Sequence, residues 1–309
     1  MNNRNNFDGS LIENVEKFRE VIRKYNEEVK SKCRFLEDRI RKLIKIERVC
    51  EDGKKWYLKV LDGKRVVGVD GGQISPLKEL GIPVGVVQVA KIWVIHGLGK
   101  FGKNYKTALV RIEENLELRR TQLEMEMLIE EMDGKSWLFF DGSLIPYFSD
   151  QSMKEAYISM VEKLIKESER TETPLIAYID KSFSRDLAKI IGVDTYDSFL
   201  LSGFMSIFSY TQPFHAQQYN GKVCFSYIMV NPASPVRIEY PAWMESMHDE
   251  VVKIVIAECL LGKTRGYPYI LERAHYYSRL DSKARMSLMK AIKSHGISFK
   301  WISKFNSTP

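Results

Sequence analysis

The chain has 309 residues, 44% hydrophobic and 28% charged, with 19 Gly and 10 Pro, which excludes collagen-like, low-complexity and disordered classes. Its 47 Lys and Arg against 40 Asp and Glu leave a net charge of +7, only a mild lean toward polyanionic partners. The length allows one or two domains and a single large core. Cys33, Cys50, Cys224 and Cys259 lie far apart, with no CxxC and no nearby histidine at ligand spacing. That argues against a zinc ribbon or a disulfide framework and for a reducing cytosol. The polar start MNNRNNFDGS lacks a signal peptide's apolar core, and no apolar run approaches the roughly 18 residues of a membrane helix. A soluble cytoplasmic protein is expected, with no membrane partner.

In chain order, Leu11, Val15, Phe18, Ile22, Tyr25 and Val29 follow alternating steps of four and three. Cys33, Leu36, Ile40 and Leu43 resume the pattern after one extra step of four. This is a heptad seam with a single stutter, Ser10 its N-cap, and it predicts thirty-odd residues of helix, roughly 50 Å long. Such a seam needs a cover, either its own domain or a second copy of the chain.

From about Trp56 the texture turns to strands. Residues 65–70 (RVVGVD) are β-rich and end in Asp-Gly-Gly; residues 82–96, opened by Pro83, suffice for one bent strand or two short ones. Residues 113–132 read as a helix closed by Gly134, and 136–141 (SWLFFD) as an apolar strand. A helix at about 151–170, a strand at 175–180 (LIAYID) and a helix near 184–191 follow. Residues 223–230 and 236–240 suggest a hairpin, and helices near 244–261, 268–280 and 282–294 finish the chain. Strands first, then helix–strand alternation, predict an α/β fold: a mixed β-sheet flanked by helices. An N-terminal helical arm over 1–50 precedes one body over 51–309, since neither a repeat nor a linker divides the latter.

Two apolar strands end alike, at Asp70 and at Asp141. Adjacent and parallel, they would aim both carboxylates into one crevice, where a divalent cation relieves their repulsion. Asp-Gly as plain turn chemistry is the simpler explanation of either motif alone. The intervening helix offers a third acid. Glu117, Glu124 and Glu131 lie in the row between two apolar clusters, whereas Glu126 falls in the polar sector. An antiparallel helix descends at 1.5 Å per residue, which brings Glu124, about nine residues before Met132, level with Asp141. Arg120, one turn earlier, could simply pair with Glu124.

The order strand-Asp, β-hairpin, helix-Glu, strand-Asp resembles the ribonuclease H-like fold. The strings VVGVDGGQI, RRTQLEMEM, LFFDGSLIP, IAYIDKSFSRD, RIEYPAW and GYPYILERAH resemble the NurA nuclease family, from about residue 60 to the end. The resemblance implies a manganese-dependent nuclease, with Mg²⁺ the second choice of ion. It implies trimming of the 5′ strand of DNA ends and cutting of single strands in double-strand break repair. It also implies a homodimer docked on a hexameric HerA-type DNA-translocating ATPase. By motif, the metal-binding acids fall on Asp70, Glu124 and Asp141, and the C-terminal Tyr and His on Tyr267 and His275. Lys181 and Glu239 sit in matching motifs. VDGG stands where VDGS is usual, so one hydroxyl near the metal is missing.

Two metal ions, one on the attacking and one on the leaving oxygen, suit phosphodiester hydrolysis by such acids. His275 is expected to ligate a metal, shuttle a proton or touch phosphate, Tyr267 to reach phosphate or a base, and Lys181 to neutralise the scissile phosphate. A structural histidine and a packed tyrosine are the plainer alternatives. Asp180 falls on the face opposite Lys181 and is the weaker candidate; Glu239 adds a carboxylate or a surface salt bridge. The GxGxxG at residues 97–102 has no helix opening on it and is taken as a flexible basic loop or a hairpin tip. An actin-like sugar kinase or ATPase, and a non-catalytic DNA-end adaptor, are the rival functions.

Overall fold

The computed structural model describes residues 9–51, 53–75, 84–111, 113–145, 151–264 and 266–284, with 286, 287 and 290. The seam at the N-terminus forms α1 (Gly9–Phe35) and, after a break at Leu36 (φ −98°, ψ 8°), the short α2 (Glu37–Leu43). The expected single helix is therefore two. The break lets Val29 on α1, together with Ile40 and Ile44, turn into the same core. Further out, Val15, Phe18, Ile22 and Tyr25 keep the 3/4 spacing but face solvent, Phe18 being 65% exposed. Strand β1 (Ile46–Arg48) then joins the sheet, and α3 (Trp56–Leu61) is a helix where strand was expected. Trp56, Val60 and Leu61 bury one apolar side of α3 in a core shared with later helices.

Valine-rich β2 (Arg65–Ile74) runs on through Asp70-Gly71-Gly72, so that Asp-Gly is not a turn. It pairs antiparallel with β3 (Val84–Ile95), Asp70 opposite Ala90 and Ile74 opposite Val86. A tight turn at 96–99 leads into β4 (Lys100–Arg111). GLGKFGKNYK is thus a turn followed by an edge strand; Gly97 and Gly99 supply its positive φ of 77° and 62°. Helix α4 (Leu116–Ile129), N-capped by Asn115, whose side chain accepts from Leu118 N–H, crosses over to β5 (Trp137–Asp141), which lies parallel to β2. Helix α5 (Gln151–Thr171) returns the chain to β6 (Leu175–Ile179), parallel to β5.

Helices α6 (Asp186–Ile191) and α7 (Asp197–Ser202) precede β7 (Ser209–Thr211), β8 (Phe214–His215), β9 (Val223–Ile228) and β10 (Val236–Pro241). The expected hairpin of β9 and β10 is present, and α8 (His248–Leu261) and α9 (Tyr269–Ser278) close the fold. The expected last helix lies mostly outside the described residues. The sheet runs β1-β7-β9-β10-β6-β5-β2-β3-β4, with β8 alongside β9. Its β4-β3-β2-β5-β6 half, an antiparallel meander followed by two parallel strands reached over crossover helices, is the ribonuclease H-like arrangement. One face buries Val67, Val69, Leu138 and Phe140 under α4 to α7; the other buries Val66, Trp137 and Phe139 under α3, α8 and α9.

Candidate active site

Parallel pairing sets Val69 beside Phe140, so Asp70 and Asp141 come level at the next position, where the two strands part. Strand alternation puts both side chains on the face that α9 covers. Helix α9 reaches them because β2 carries glycines on that face. A Cβ on Gly68 would lie 2.9 Å from the Ile270 carbonyl oxygen. The N-terminal end of α9 is fixed by fully buried Glu258 of α8, which accepts from Ile270 N–H at 2.8 Å and pairs with His96 at 2.6 Å.

Three groups from this region bind the aspartates. Tyr267, just before α9, donates to Asp141 Oδ2 at 2.5 Å. His275 Nδ1 lies 2.9 Å from Asp70 Oδ2, and the Ser278 hydroxyl donates to the same oxygen at 3.0 Å. Gly71 N–H donates to Asp70 Oδ1 at 2.7 Å. Ser278, which the sequence reading missed, thus places a hydroxyl on Asp70. Its only signal is the spacing of three from His275, one helical turn.

Glu124 approaches from the other side of the sheet. It is 5% exposed, and it reaches the strand end because Gly71 has no side chain: a Cβ there would lie 2.5 Å from Glu124 Oε1. Arg120 Nε stands 3.5 Å from Glu124 Oε1, so the pairing weighed as an alternative exists alongside the site. Burial pushes the Glu124 carboxyl up to about 8; Arg120 opposes this, while the charges of Asp70 and Asp141 add to it. Asp141 is pushed up to about 6 by burial, against the Tyr267 hydrogen bond, and is raised further by Asp70 and Asp180. Of the other acids in that row, Glu131 is held by Arg65 and Lys91 at 2.5 and 2.7 Å. Glu117 is not inward-facing as expected: its side chain, in the first turn of α4, is 65% exposed and pairs with Arg120 at 3.9 Å.

Asp180 acts electrostatically on both Asp141 and Tyr267, so it lies toward the site and not away from it. Lys181 is exposed and forms no ion pair among the described residues. Glu239 is not on the surface: it is 1% exposed, bonded to Arg237 Nε at 2.7 Å, and accepts from Leu144 N–H, Ile145 N–H and the Ser143 hydroxyl. It thereby fixes the turn that follows Asp141. Beyond His275, α9 and β4 expose Tyr276, Phe101 and Tyr105; Arg273 packs over Tyr276, and Lys103 over Tyr277 at 4.5 Å.

The oxygens of Asp70, Glu124 and Asp141 do not all fall within 4.8 Å of one another, so the acids converge less tightly than the sequence reading required. The set nevertheless suits a divalent cation. Its donors are hard oxygens with one imidazole, and burial, with the neighbouring carboxylates adding to it, raises Glu124 and Asp141, whose charged forms a divalent cation would stabilise.

No curated protein matches the sequence. Among solved structures, a crystal structure of NurA superposes with a TM-score of 0.51 at 10% identity, covering 93% of this chain and 98% of that one. A crystal structure of NurA bound to dAMP and manganese gives 0.54 at 11% identity, covering 91% and 96%. These show a shared fold. The family model of the NurA domain matches residues 64–280, more than half of the sequence and all of the acids above, and on that match the chain belongs to the NurA family.

Proposed function

We propose that the protein is a metal-dependent DNA nuclease that uses Mn²⁺. The observation that carries this reading is the meeting of Asp70, Asp141 and Glu124 from both sides of the sheet at the end of two parallel strands, with Glu124 and Asp141 held above their ordinary pKa values. Asp70, Glu124 and Asp141 would hold the ions, two per site, with Mg²⁺ a poorer substitute. His275, whose Nδ1 is taken by Asp70, has Nε2 left as a nitrogen ligand. Bound divalent ions lower the pKa of water and neutralise charge building on the attacked phosphate.

The residues themselves do the positioning. Tyr267 orients Asp141, Ser278 and Gly71 N–H orient Asp70, and Arg120 balances the buried charge of Glu124. Lys181, just beyond the end of the third parallel strand, would neutralise a substrate phosphate. The exposed aromatics Phe101, Tyr105 and Tyr276, interleaved with Lys103 and Arg273, suit stacking and phosphate contact with a single strand. The NurA structure bound to dAMP and manganese supports a deoxynucleotide substrate and this ion. The family supports 5′-strand trimming, single-strand endonuclease activity in double-strand break repair, a HerA-type ATPase partner and a homodimer within the cytoplasm. The exposed seam on α1 is consistent with that assembly.

The test is cleavage of 5′- and 3′-labelled DNA by the purified protein with Mn²⁺, Mg²⁺ or EDTA, alone and with the ATPase. Cleavage should need Mn²⁺ and vanish in Asp70→Ala; full Mn²⁺-dependent cleavage by that variant overturns the reading.

A further inference from the structure

Outside the carboxylate centre, the described residues hold one tight group of mixed metal-ligand atoms: His215, Cys224 and Glu245, whose donor atoms all lie within 4.8 Å of one another. We propose that these three residues form a second, separate metal site, selective for a borderline-soft divalent ion of the zinc class.

The backbone builds the group. Strands β8 and β9 pair antiparallel with His215 directly opposite Cys224, which puts both side chains on one face about 5 Å apart at Cβ. Ala216 N–H donates to the Val223 carbonyl at 2.9 Å and fixes that register. Glu245 comes from the 3₁₀ turn Ala242–Met247 after β10, itself tied to the start of β9 by Ala242 N–H donating to the Lys222 carbonyl at 2.8 Å. Three chain segments, all anchored by main-chain hydrogen bonds, therefore present the three donors.

The donor chemistry matches zinc. His215 Nε2 lies 3.2 Å from Glu245 Oε2, close to the roughly 3.3 Å ligand edge of a tetrahedral zinc site. Cys224 Sγ lies 3.8 Å from His215 Nδ1 and 4.0 Å from Nε2, so its side chain closes in to an edge of about 3.6 Å when the ion binds. His215 Nδ1 is 3.0 Å from the Gly221 carbonyl, the outer partner that sets a ligating histidine's tautomer and frees Nε2. A neutral imidazole so oriented aims its lone pair at a carboxylate, a repulsion that a cation between them removes. Imidazole with thiolate favours zinc, whereas the oxygen-dominated acids of the nuclease centre favour manganese. His215 and Glu245 are half-exposed over the buried sulfur, so the fourth position falls to water.

The site lies apart from the nuclease centre. Register places Cys224 beside Tyr240, and β10 runs away from the catalytic end, with Arg237 paired to Ile179 at the tip of β6. Three strand spacings and two residues of rise separate Cys224 from Asp141, about 15 Å. An ion here would clasp β8, β9 and the 3₁₀ turn together, independent of the nuclease reading. The site has no signature along the chain, because a cross-strand pair nine residues apart matches none of the short ligand spacings.

The experiment measures zinc per chain in the full-length protein after dialysis, together with thermal unfolding with and without added Zn²⁺, and the spectrum after Co²⁺ replacement. One equivalent is expected, with a thiolate-to-cobalt charge-transfer band and a rise in the unfolding midpoint on adding zinc. Cys224→Ser, nearly isosteric, should lose the ion, the band and the zinc-dependent rise while unfolding like wild type in chelator; His215→Ala should weaken zinc binding at least tenfold. Asp70→Asn should keep the full equivalent, which separates this site from the carboxylate centre. Zinc content unchanged in both Cys224→Ser and His215→Ala overturns the proposal. So does wild type with no cobalt–thiolate band and no zinc response, which would leave His215–Glu245 a plain ion pair.

Discussion

Gly72 on β2 and Ser278 at the end of α9 meet backbone to backbone: a Cβ built on Gly72 would lie 2.3 Å from the Ser278 carbonyl oxygen. The contact sets how deeply α9 settles, and so whether His275 and Ser278 reach Asp70. Gly72→Ser should therefore cost about 1–3 kcal/mol of stability through overpacking. It should lower Mn²⁺-dependent cleavage even where the protein is fully folded. Calorimetry and cleavage rates at 25 °C check both. An unchanged rate would mean that α9 does not position Asp70.

Burial pushes the Glu124 carboxyl up to about 8 in the folded chain, against 4.5 ordinarily. Between those values the folded state holds a proton that the unfolded state has lost, so metal-free stability falls as pH rises through that window. Glu124→Gln should abolish cleavage yet, in EDTA at about pH 8, be more stable than wild type by about 2 kcal/mol or more, several degrees in Tm. Saturating Mn²⁺ should flatten the wild-type slope. A metal-free Tm independent of pH across this range would contradict the assignment.

Tyr267→Phe removes the hydroxyl that steadies Asp141 and leaves its carboxyl still higher than about 6. Loss of such an outer partner typically weakens metal affinity about 10–100-fold. The Mn²⁺ concentration for half-maximal cleavage should rise within that range, with the rate at saturating metal less affected. A titration of rate against Mn²⁺ decides.

Arg237 is 1% exposed and bonded to Glu239, Asp186 and Tyr227. Arg237→Ala leaves Glu239 buried without its cation and should cost about 3–5 kcal/mol. Glu239→Gln should leave Mn²⁺ binding intact, as befits a residue that shapes the turn after Asp141. Calorimetric Mn²⁺ binding equal to wild type is the expected result.

The α1 seam gives a last test. Phe18→Asp with Ile22→Asp puts charge on an exposed apolar row without touching buried Val29 or Ile40. If the seam joins two copies, light scattering should show the mass halved. An undiminished mass assigns dimerisation to another surface.

Much of the site was legible because the fold places chemistry at strand and helix positions that periodicity exposes. Asp70 and Asp141 each follow an apolar run, and Glu124 sits inward on a helix whose height is set by residue rise. Glu117, by contrast, shares the row of Glu124 but lies in the first turn of the helix, where its side chain is 65% exposed. The faces of Asp180 and Glu239 depended on which strands stood beside them. The short strands β1, β7 and β8 offered too few residues to show a period of two.

The apolar faces of the central strands and the three candidate acids were readable along the chain, since burial patterns are written locally at periods of two and 3.6 residues. Tertiary structure alone decided that Gly71 opens the way for Glu124, that Ser278 supplies a hydroxyl to Asp70, and that His215 stands across from Cys224. Each of these depends on the register and depth at which distant segments dock, and sequence distance carries no measure of either.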